Sequence, residues 1–533
     1  MNLFSKSILY FNTVKYLKPT QLIYQVINRL RPKDAFIKYQ KKNVNYSEYD
    51  IWIKQLDENE EYSERFLPDE LLKNQLTLLH ETRAFDRWKF PDASHLWNFN
   101  LHYLEYLVAL KSRYKKSSDE KYKKKLNEIL NDWYERGLSE SDSNHPYTIS
   151  LRIINLLLIA DVITDKQKLY DSIYAQYRFL LKHQEKHLLG NHYLENLKAI
   201  VVCSLIFNQQ KICNKYIKRL LKEIEEQITS DGLHFELSLM YHKIVLEDLI
   251  RVAVILKQAG KDEYEQLVAY IRKMTTALNS LEAGINRTPL FNDSGDNVAK
   301  TSASLLEACK TLFGIEPEQK SNIAGYYKLY DEHLTLIADG GKSGPEYMPG
   351  HAHCDCLSYE LFYNGKPLFV NSGTYQYQGE TRRYFRSTKA HNTVEINNHE
   401  QSELWGEHRA ARRINNIKVS AEENKIIGQY KNYSGELHQR TIELNNQILK
   451  VTDKTAGAAK SYLHLVPGLV YSDGKISGNG ISINVKTINS QITVEQGLYA
   501  SDFGKKEENT VLVFNWNKDK QIHGYEIEIT KGE

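Results

Sequence analysis

Only eight of the 27 glycines in this 533-residue chain fall in its first 330 residues, and the other nineteen come after them. Glycine supplies tight turns and weakens helix interiors, so its scarcity excludes a turn-dense β-domain before residue 330. Cysteine is scarce as well: Cys203, Cys213, Cys309, Cys354 and Cys356 make an odd number in a large chain, which argues against a disulfide framework. Cys354 and Cys356 are expected on a strand, too close along one chain to bridge each other easily. Long apolar runs are missing too, since Leu156–Ala160 and Ala199–Phe207 are far shorter than the roughly 20 residues that span a bilayer. No excess of one charge exists: 70 Lys and Arg against 67 Asp and Glu leave +3, too little for a nucleic-acid binder working through its bulk field. The opening MNLFSKSILYFNTVKYLKPTQLIYQVINRLRPK mixes apolar and basic residues without the unbroken apolar core or small-residue cleavage site of a cleavable signal. A basic amphipathic helix touching an anionic membrane is the other reading of that segment. G-x-S-x-G, P-loop and H-E-x-x-H motifs are also lacking.

With 41% hydrophobic and 26% charged residues, the chain can bury two or three cores. Leu, Ile, Lys and Glu recur at helical spacing in Tyr147–Thr164, Tyr193–Phe207 and Phe235–Leu256. Several of these stretches are apolar around most of their circumference, which predicts inner helices screened by Lys-rich partners such as DEKYKKKLNEILNDWYERG. No fixed-period repeat is present, so a toroid of helix pairs is favoured over a regular solenoid. From about Leu334 short β-branched and aromatic runs alternate with turn signals, among them LSYELFYNGKPLFVNSG with its Asn364-Gly365 turn, and predict an antiparallel sandwich. The expected organisation is a helical cap or extension over 1–80, a helical toroid over 81–330 and a sandwich over 331–533.

Polar groups collect at four places. In WNFNLHYLEYL, Trp97, Asn98, Asn100 and His102 enter an apolar helix, as a capped start with a buried aromatic or as a sugar subsite. In GNHYLENLKAI, Asn191, His192, Glu195 and Asn196 follow Gly190, and a capping box accounts for only part of this polarity. DGLHFELSLMYHK places Glu236, Tyr241 and His242 on or beside one helix, where a core tyrosine with a bonded hydroxyl is the plainer reading. Finally, His351 and His353 share a side if the chain is extended, and His391 arrives later with Asn371 between them, a combination able to supply two imidazoles and an oxygen to zinc. The 36 tyrosines against 17 phenylalanines suit walls that are apolar and hydrogen-bonding at once, as sugars require.

Together these words resemble the heparinase II/III-like polysaccharide lyase family. The resemblance runs from about residue 95 to at least residue 415, through W-N-F-N-L-H (Trp97–His102), H-P-Y-x-I-S-x-R-I-x-N (His145–Asn155), N-H-x-x-E-N (Asn191–Asn196), D-G-x-x-x-E-x-S-x-x-Y-H (Asp231–His242), G-H-A-H-x-D-x-L-S (Gly350–Ser358) and R-S-T-x-x-H-N-T (Arg386–Thr393). It implies an incomplete (α/α) toroid followed by an antiparallel β-sandwich, with a cleft between them that cleaves uronic-acid-containing polysaccharide by β-elimination. That reaction needs a uronate carboxylate neutralised, a base for the C5 proton and an acid for O4. The resemblance assigns neutralisation to Asn191 and His192 with Glu195 holding them, and acid and base to Tyr241 and His351, their order set by the uronate epimer. Glu236 is a supporting residue, and Trp97, Asn98, His102, Asn196, Tyr375, Arg383 and Arg386 are candidate substrate contacts. A structural divalent metal, zinc first, is implied at His353, Asn371 and His391, although Asn371 stands where relatives usually carry Asp. Two other readings remain: an inverting hydrolase using carboxylates among Glu236, Asp293 and Asp296, and a glycan-binding factor without turnover.

Overall fold

The computed structural model describes residues 3–30, 37, 39–58, 64–414, 416–517 and 522–531. Among the described residues, helices dominate up to Phe313 and strands from Asn322 onward, so the shift in glycine content does mark a change of architecture. The helical part is an incomplete (α/α) toroid. Its logic is visible in one pair: every residue of the Gly190–Ile206 helix except His192 is buried, as an inner helix apolar on all sides must be. Its outer neighbour, Gln210–Gln227, buries Cys213, Tyr216, Ile217, Leu220 and Ile224 at helical spacing and turns its lysines and glutamates to water. The Leu239–Gln258 and Glu263–Glu282 helices repeat this inner and outer arrangement.

Residues before 85 are helical only in part. After helices Leu3–Val14 and Pro19–Leu30, the stretch from residue 39 to 53 runs extended along the toroid. Its backbone is satisfied from outside itself: the Asp171 carboxylate accepts from the amides of Lys42, Asn43 and Val44 at 2.9–3.1 Å, and Ser47 N–H reaches Ile206 O at 2.8 Å. A two-stranded hairpin, Gln75–Leu78 with Glu81–Ala84, precedes the first toroid helix. The described part of this segment is thus a wrapping extension, whose tyrosines and asparagines lack helical periodicity and find partners on the toroid surface.

The second half stacks antiparallel sheets. One has eight strands, running from Lys418–Glu422 at one edge to Val470–Ser472 at the other. Opposite lie a four-stranded sheet ending in Val394–Ile396 and a five-stranded sheet, Asn322–Ile323 to Lys366–Phe369, bridged to each other at Phe369 and Leu465. Leu361, Leu444, Val451, Leu463, Phe514, Tyr525 and Ile527 fill the space between the layers. Tyr359–Tyr363 and Lys366–Phe369 form the expected hairpin, with Asn364 at φ 48° and Gly365 at φ 77°, the backbone that a two-residue turn of this hand requires. Cys354 and Cys356 lie in the irregular run before Tyr359 rather than on a strand, and all five cysteines are buried thiols.

Candidate active site

The site is organised around Asp293, in the irregular F-N-D-S-G run that follows the Glu263–Glu282 helix. Its fully buried carboxylate receives the Arg382 guanidinium through both terminal nitrogens, His351 Nδ1 at 2.8 Å, His353 Nε2 at 2.9 Å and Thr374 Oγ1 at 3.2 Å. Burial alone would raise its pKa, but Arg382 and the two imidazoles outweigh that and hold it well below the usual carboxylate range. Because a carboxylate only accepts, a neutral His351 ring carries its proton on Nδ1 and leaves Nε2 bare. The backbone reinforces the arrangement: Asp293 N–H donates to His351 O at 3.1 Å, and His353 N–H to Asn292 Oδ1 at 3.1 Å.

Tyr241 faces this imidazole. It lies in the first turn of the Leu239–Gln258 helix, whose start is capped by Ser238 Oγ, and its ring centroid is 4.2 Å from that of His351. Its hydroxyl meets that of Tyr377 at 2.6 Å, and burial first, then Tyr377, pushes its pKa well above 10, so it is a phenol in the resting protein. Tyr377 arrives from the sandwich, packs on Phe503 at 5.0 Å and lies under Arg382 at 5.2 Å. Glu236, in the turn before the helix, is buried with no hydrogen-bonding side-chain partner among the described residues, and its Oε2 is 3.7 Å from His351 Nε2. Burial raises its pKa, against the opposing pull of His351 and His192.

Across the space, the Gly190–Ile206 helix opens with Gly190, Asn191 and His192, so its positive N-terminal end points into the cleft. Gly190 has φ 57°, the left-handed backbone that favours glycine, and the end of the Met348 side chain from the sandwich side packs where a Cβ would stand. Asn191 Oδ1 is buried and meets no hydrogen-bond partner among the described residues. His192 Nδ1 sits 3.0 Å from Glu185 Oε1. Burial works against its charge, but Glu185 prevails and lifts the imidazole above its ordinary value of 6.5, while Glu185 itself is held below the usual carboxylate range. The residue holding His192 is thus Glu185, not the expected Glu195, which pairs with Lys198 at 2.5 Å beside Asp248.

Several candidate sugar contacts are engaged inside the protein. Asn196 is fully buried: its Nδ2 donates to Glu185 Oε2 and Ser150 Oγ, both at 3.1 Å, and its Oδ1 accepts Glu185 N–H at 2.7 Å. Trp97 is 1% exposed and stacks edge-on against Phe90, Asn98 clamps both backbone groups of Phe90 at 2.9 Å, and His102 Nε2 meets Trp88 O at 3.0 Å. The helix cap there is Ser94, which accepts from Trp97 N–H. Arg386 is likewise internal, donating to Ala352 O at 3.0 Å and Glu407 O at 2.9 Å, where it steadies the loop carrying His351. Arg383 is exposed, and Tyr375 is half-buried beneath Lys506. The arginine that reaches the centre is Arg382, one residue from the expected one.

His353 and His391 also meet. His391 Nδ1 faces Ser387 O at 2.8 Å and must donate to it; His353 Nε2 faces Asp293 and must do likewise. Their remaining nitrogens, His353 Nδ1 and His391 Nε2, are therefore both lone pairs, yet lie 3.1 Å apart. Burial depresses the two pKa values to about 4 and about 3, so no spare proton bridges them near neutrality. A carboxylate oxygen of Asp355 completes a buried group whose ligand atoms all lie within 4.8 Å of one another. Imidazoles whose other nitrogens are committed to a carboxylate and a carbonyl are oriented as metal ligands are. Asn371 Oδ1 instead accepts from Asn392 N–H at 3.2 Å.

The toroid, the sandwich and the cleft between them define the architecture of a polysaccharide-lyase-like protein. Residues 12–321 match the heparinase II/III N-terminus and residues 318–525 the heparinase II/III-like C-terminal domain, and the chain belongs to this family. Its curated relatives include the heparin-sulfate lyase of Pedobacter heparinus, 23% identical over 70% of this chain and 62% of that protein. The heparin-sulfate lyase of Bacteroides thetaiotaomicron is 22% identical over 71% of this chain, again 62% of that protein, so the chain spans about three fifths of their length. Among solved structures, a heparinase III superposes with TM-score 0.71 at 18% identity, covering 93% of this chain and 88% of the other. The heparan sulfate lyase of Pedobacter heparinus gives 0.57 at 19% identity over 96% and 88%. At such identities these structures establish the fold.

Proposed function

We propose that the protein is a polysaccharide lyase that cleaves a uronic-acid-containing glycan of the glycosaminoglycan class by β-elimination. The observation that carries this reading is the pairing of a bare imidazole nitrogen, His351 Nε2, with a phenol, Tyr241, in one buried cleft. In the proposed step His351 Nε2 takes the C5 proton, the electrons of the broken C5–H bond form the C4=C5 double bond, and the C4–O4 bond breaks. The departing O4 takes the phenolic proton of Tyr241, which Tyr377 replenishes through their shared hydrogen bond. Charge building on the uronate carboxylate is met by His192, whose pKa Glu185 raises, the amide of Asn191 and the helix N-terminus, beside Glu236, whose pKa burial raises. The names of the curated relatives support the substrate class.

The hydrolase reading needs a paired acid and base among Glu236, Asp293 and Asp296, and two of the three are already engaged: Asp296 lies 3.9 Å from Arg287 and accepts from Thr288 N–H at 3.3 Å. Asp293 is occupied by Arg382, two histidines and Thr374 and is held far too acidic to donate a proton. Incubation of the purified protein with a panel of uronic-acid polysaccharides, with Tyr241→Phe as control, tests the lyase: products must gain the ultraviolet absorbance of a double bond conjugated to a carboxylate. Shortened chains without that chromophore would overturn the assignment.

We also propose that His353, His391 and Asp355 hold one divalent metal, zinc by the nature of the donors. Such an ion would sit between the two lone pairs and fix the ring of His353, and through it Asp293, in a structural role.

A further inference from the structure

The first 33 residues contain no Asp or Glu but six basic residues, Lys6, Lys15, Lys18, Arg29, Arg31 and Lys33, in a chain otherwise balanced in charge. Arg31 and Lys33 lie outside the described residues. The two helices formed here are seated by one side only. Trp405 Nε1 donates to Thr13 Oγ1 at 2.9 Å and its ring meets Tyr10 at 5.1 Å, while buried Gln21 donates to Leu188 O at 3.2 Å. Arg413 lies over the Tyr16 ring, and Lys18 pairs with Glu226.

Once this packing is complete, a large apolar surface is left in water. Leu22, Val26 and Leu30 succeed one another at four-residue intervals, with Ile23 beside them, and are 39%, 58%, 81% and, for Ile23, 56% exposed. On the first helix Phe11 is 70% exposed, with Ile8, Tyr10 and Val14 also out. Scattered exposed leucines need no explanation, but a stripe on an acid-free basic helix does. No helix among the described residues is long and apolar enough to cross a membrane, so a lipid contact here would lie in the interface plane.

We propose that this helical pair is a peripheral membrane contact that lays its apolar stripe into an anionic phospholipid surface, with Lys6, Lys15 and Arg29 meeting the headgroups. A second copy of the chain fits less well: a two-fold contact through this stripe would set one acid-free basic segment against another. Because Gln21 is anchored to Leu188, two residues before Gly190, docking brings the mouth of the cleft close to the lipid surface.

Vesicle co-sedimentation tests this with the full chain, comparing phosphatidylglycerol-containing vesicles with pure phosphatidylcholine. The wild type should sediment with the anionic vesicles, and raising salt from about 0.1 M to about 0.5 M should weaken binding. V26E/L30E, at two exposed positions, should reduce partitioning by about tenfold or more while leaving circular dichroism and lyase activity unchanged. The proposal fails if the wild type stays in solution with anionic vesicles at low salt, or if V26E/L30E sediments equally well. It also fails if sedimentation velocity without lipid shows a dimer that V26E/L30E dissolves, since the stripe would then be covered by a second copy.

Discussion

Tyr241 and Tyr377 meet hydroxyl to hydroxyl at 2.6 Å, the first delivered by a toroid helix and the second by the sandwich. The proton proposed to leave with O4 therefore sits on a bond that spans the two domains. Tyr241→Phe removes the donor and is expected to lower kcat by about a hundred- to ten-thousand-fold. Since a single hydroxyl pair contributes only about 1 kcal/mol to stability, the melting temperature should change little. Tyr377→Phe should lose less activity, because the Tyr241 proton stays in place. Comparing ultraviolet product formation in the two variants distinguishes these roles.

Asp293→Asn keeps the shape and removes the charge. Breaking a buried ion pair from one side costs about 3–5 kcal/mol, so denaturant unfolding should show a loss of that order. The amide can also present N–H to His351 Nδ1, which moves the imidazole proton to Nε2 and abolishes the base. By analogy with tautomer loss at other carboxylate-held histidines, kcat should drop by about ten-thousand-fold. Survival of most activity would remove His351 from the mechanism.

The His192–Glu185 pair sets a pH window. His192 titrates above 6.5 in the folded protein, so its share of stability is complete below that value and is lost as pH rises through the raised pKa. Glu185 is depressed below 4.5, so its share is present above 4.5 and is lost as pH falls through the lowered value. If the His192 imidazolium neutralises the uronate, kcat/KM should fall along an alkaline limb that lies above 6.5. Glu185→Gln should move that limb toward acid, measurable as a pH–rate profile.

Metal analysis of the purified protein should find one divalent ion per chain. His391→Ala and Asp355→Asn should lose it, whereas Asn371→Ala should keep it, because the Asn371 carbonyl is already used by Asn392. Chelation should lower the melting temperature of the wild type and leave that of His391→Ala unmoved. A chelator-insensitive wild type without bound metal would refute the assignment.

The helix and strand layout was legible because it is written in local patterns: an all-apolar helix such as Gly190–Ile206, or Asn364-Gly365 between alternating strands, needs no distant partner to be recognised. Asn191, His192, Tyr241 and His351 likewise stand in ordered local motifs, and the fold brings them to one cleft. What escaped depends on long-range contact. Asp293 is 58 residues from His351 and 89 from Arg382, and nothing in F-N-D-S-G announces that these will converge on it. Glu185 precedes its helix by a turn, while Glu195 occupied the more conspicuous motif. Arg382 and Arg383 are adjacent in sequence, and only helix phase decides which turns inward. Trp97, Asn98 and His102 look like ligands because polar groups on an apolar helix look alike whether they bind sugar or hold a neighbouring loop.

Asp293 has one more consequence, for how the chain can be divided. Its carboxylate belongs to the segment that closes the toroid, and His351, His353, Thr374 and Arg382 all belong to the sandwich side. Cutting near residue 320 would leave an unpaired buried carboxylate on one piece and an unpaired buried guanidinium on the other, each a penalty of several kcal/mol. The two halves are thus not interchangeable modules: a toroid grafted onto a foreign sandwich inherits a functional cleft only if that sandwich brings its own arginine and histidines to the same carboxylate.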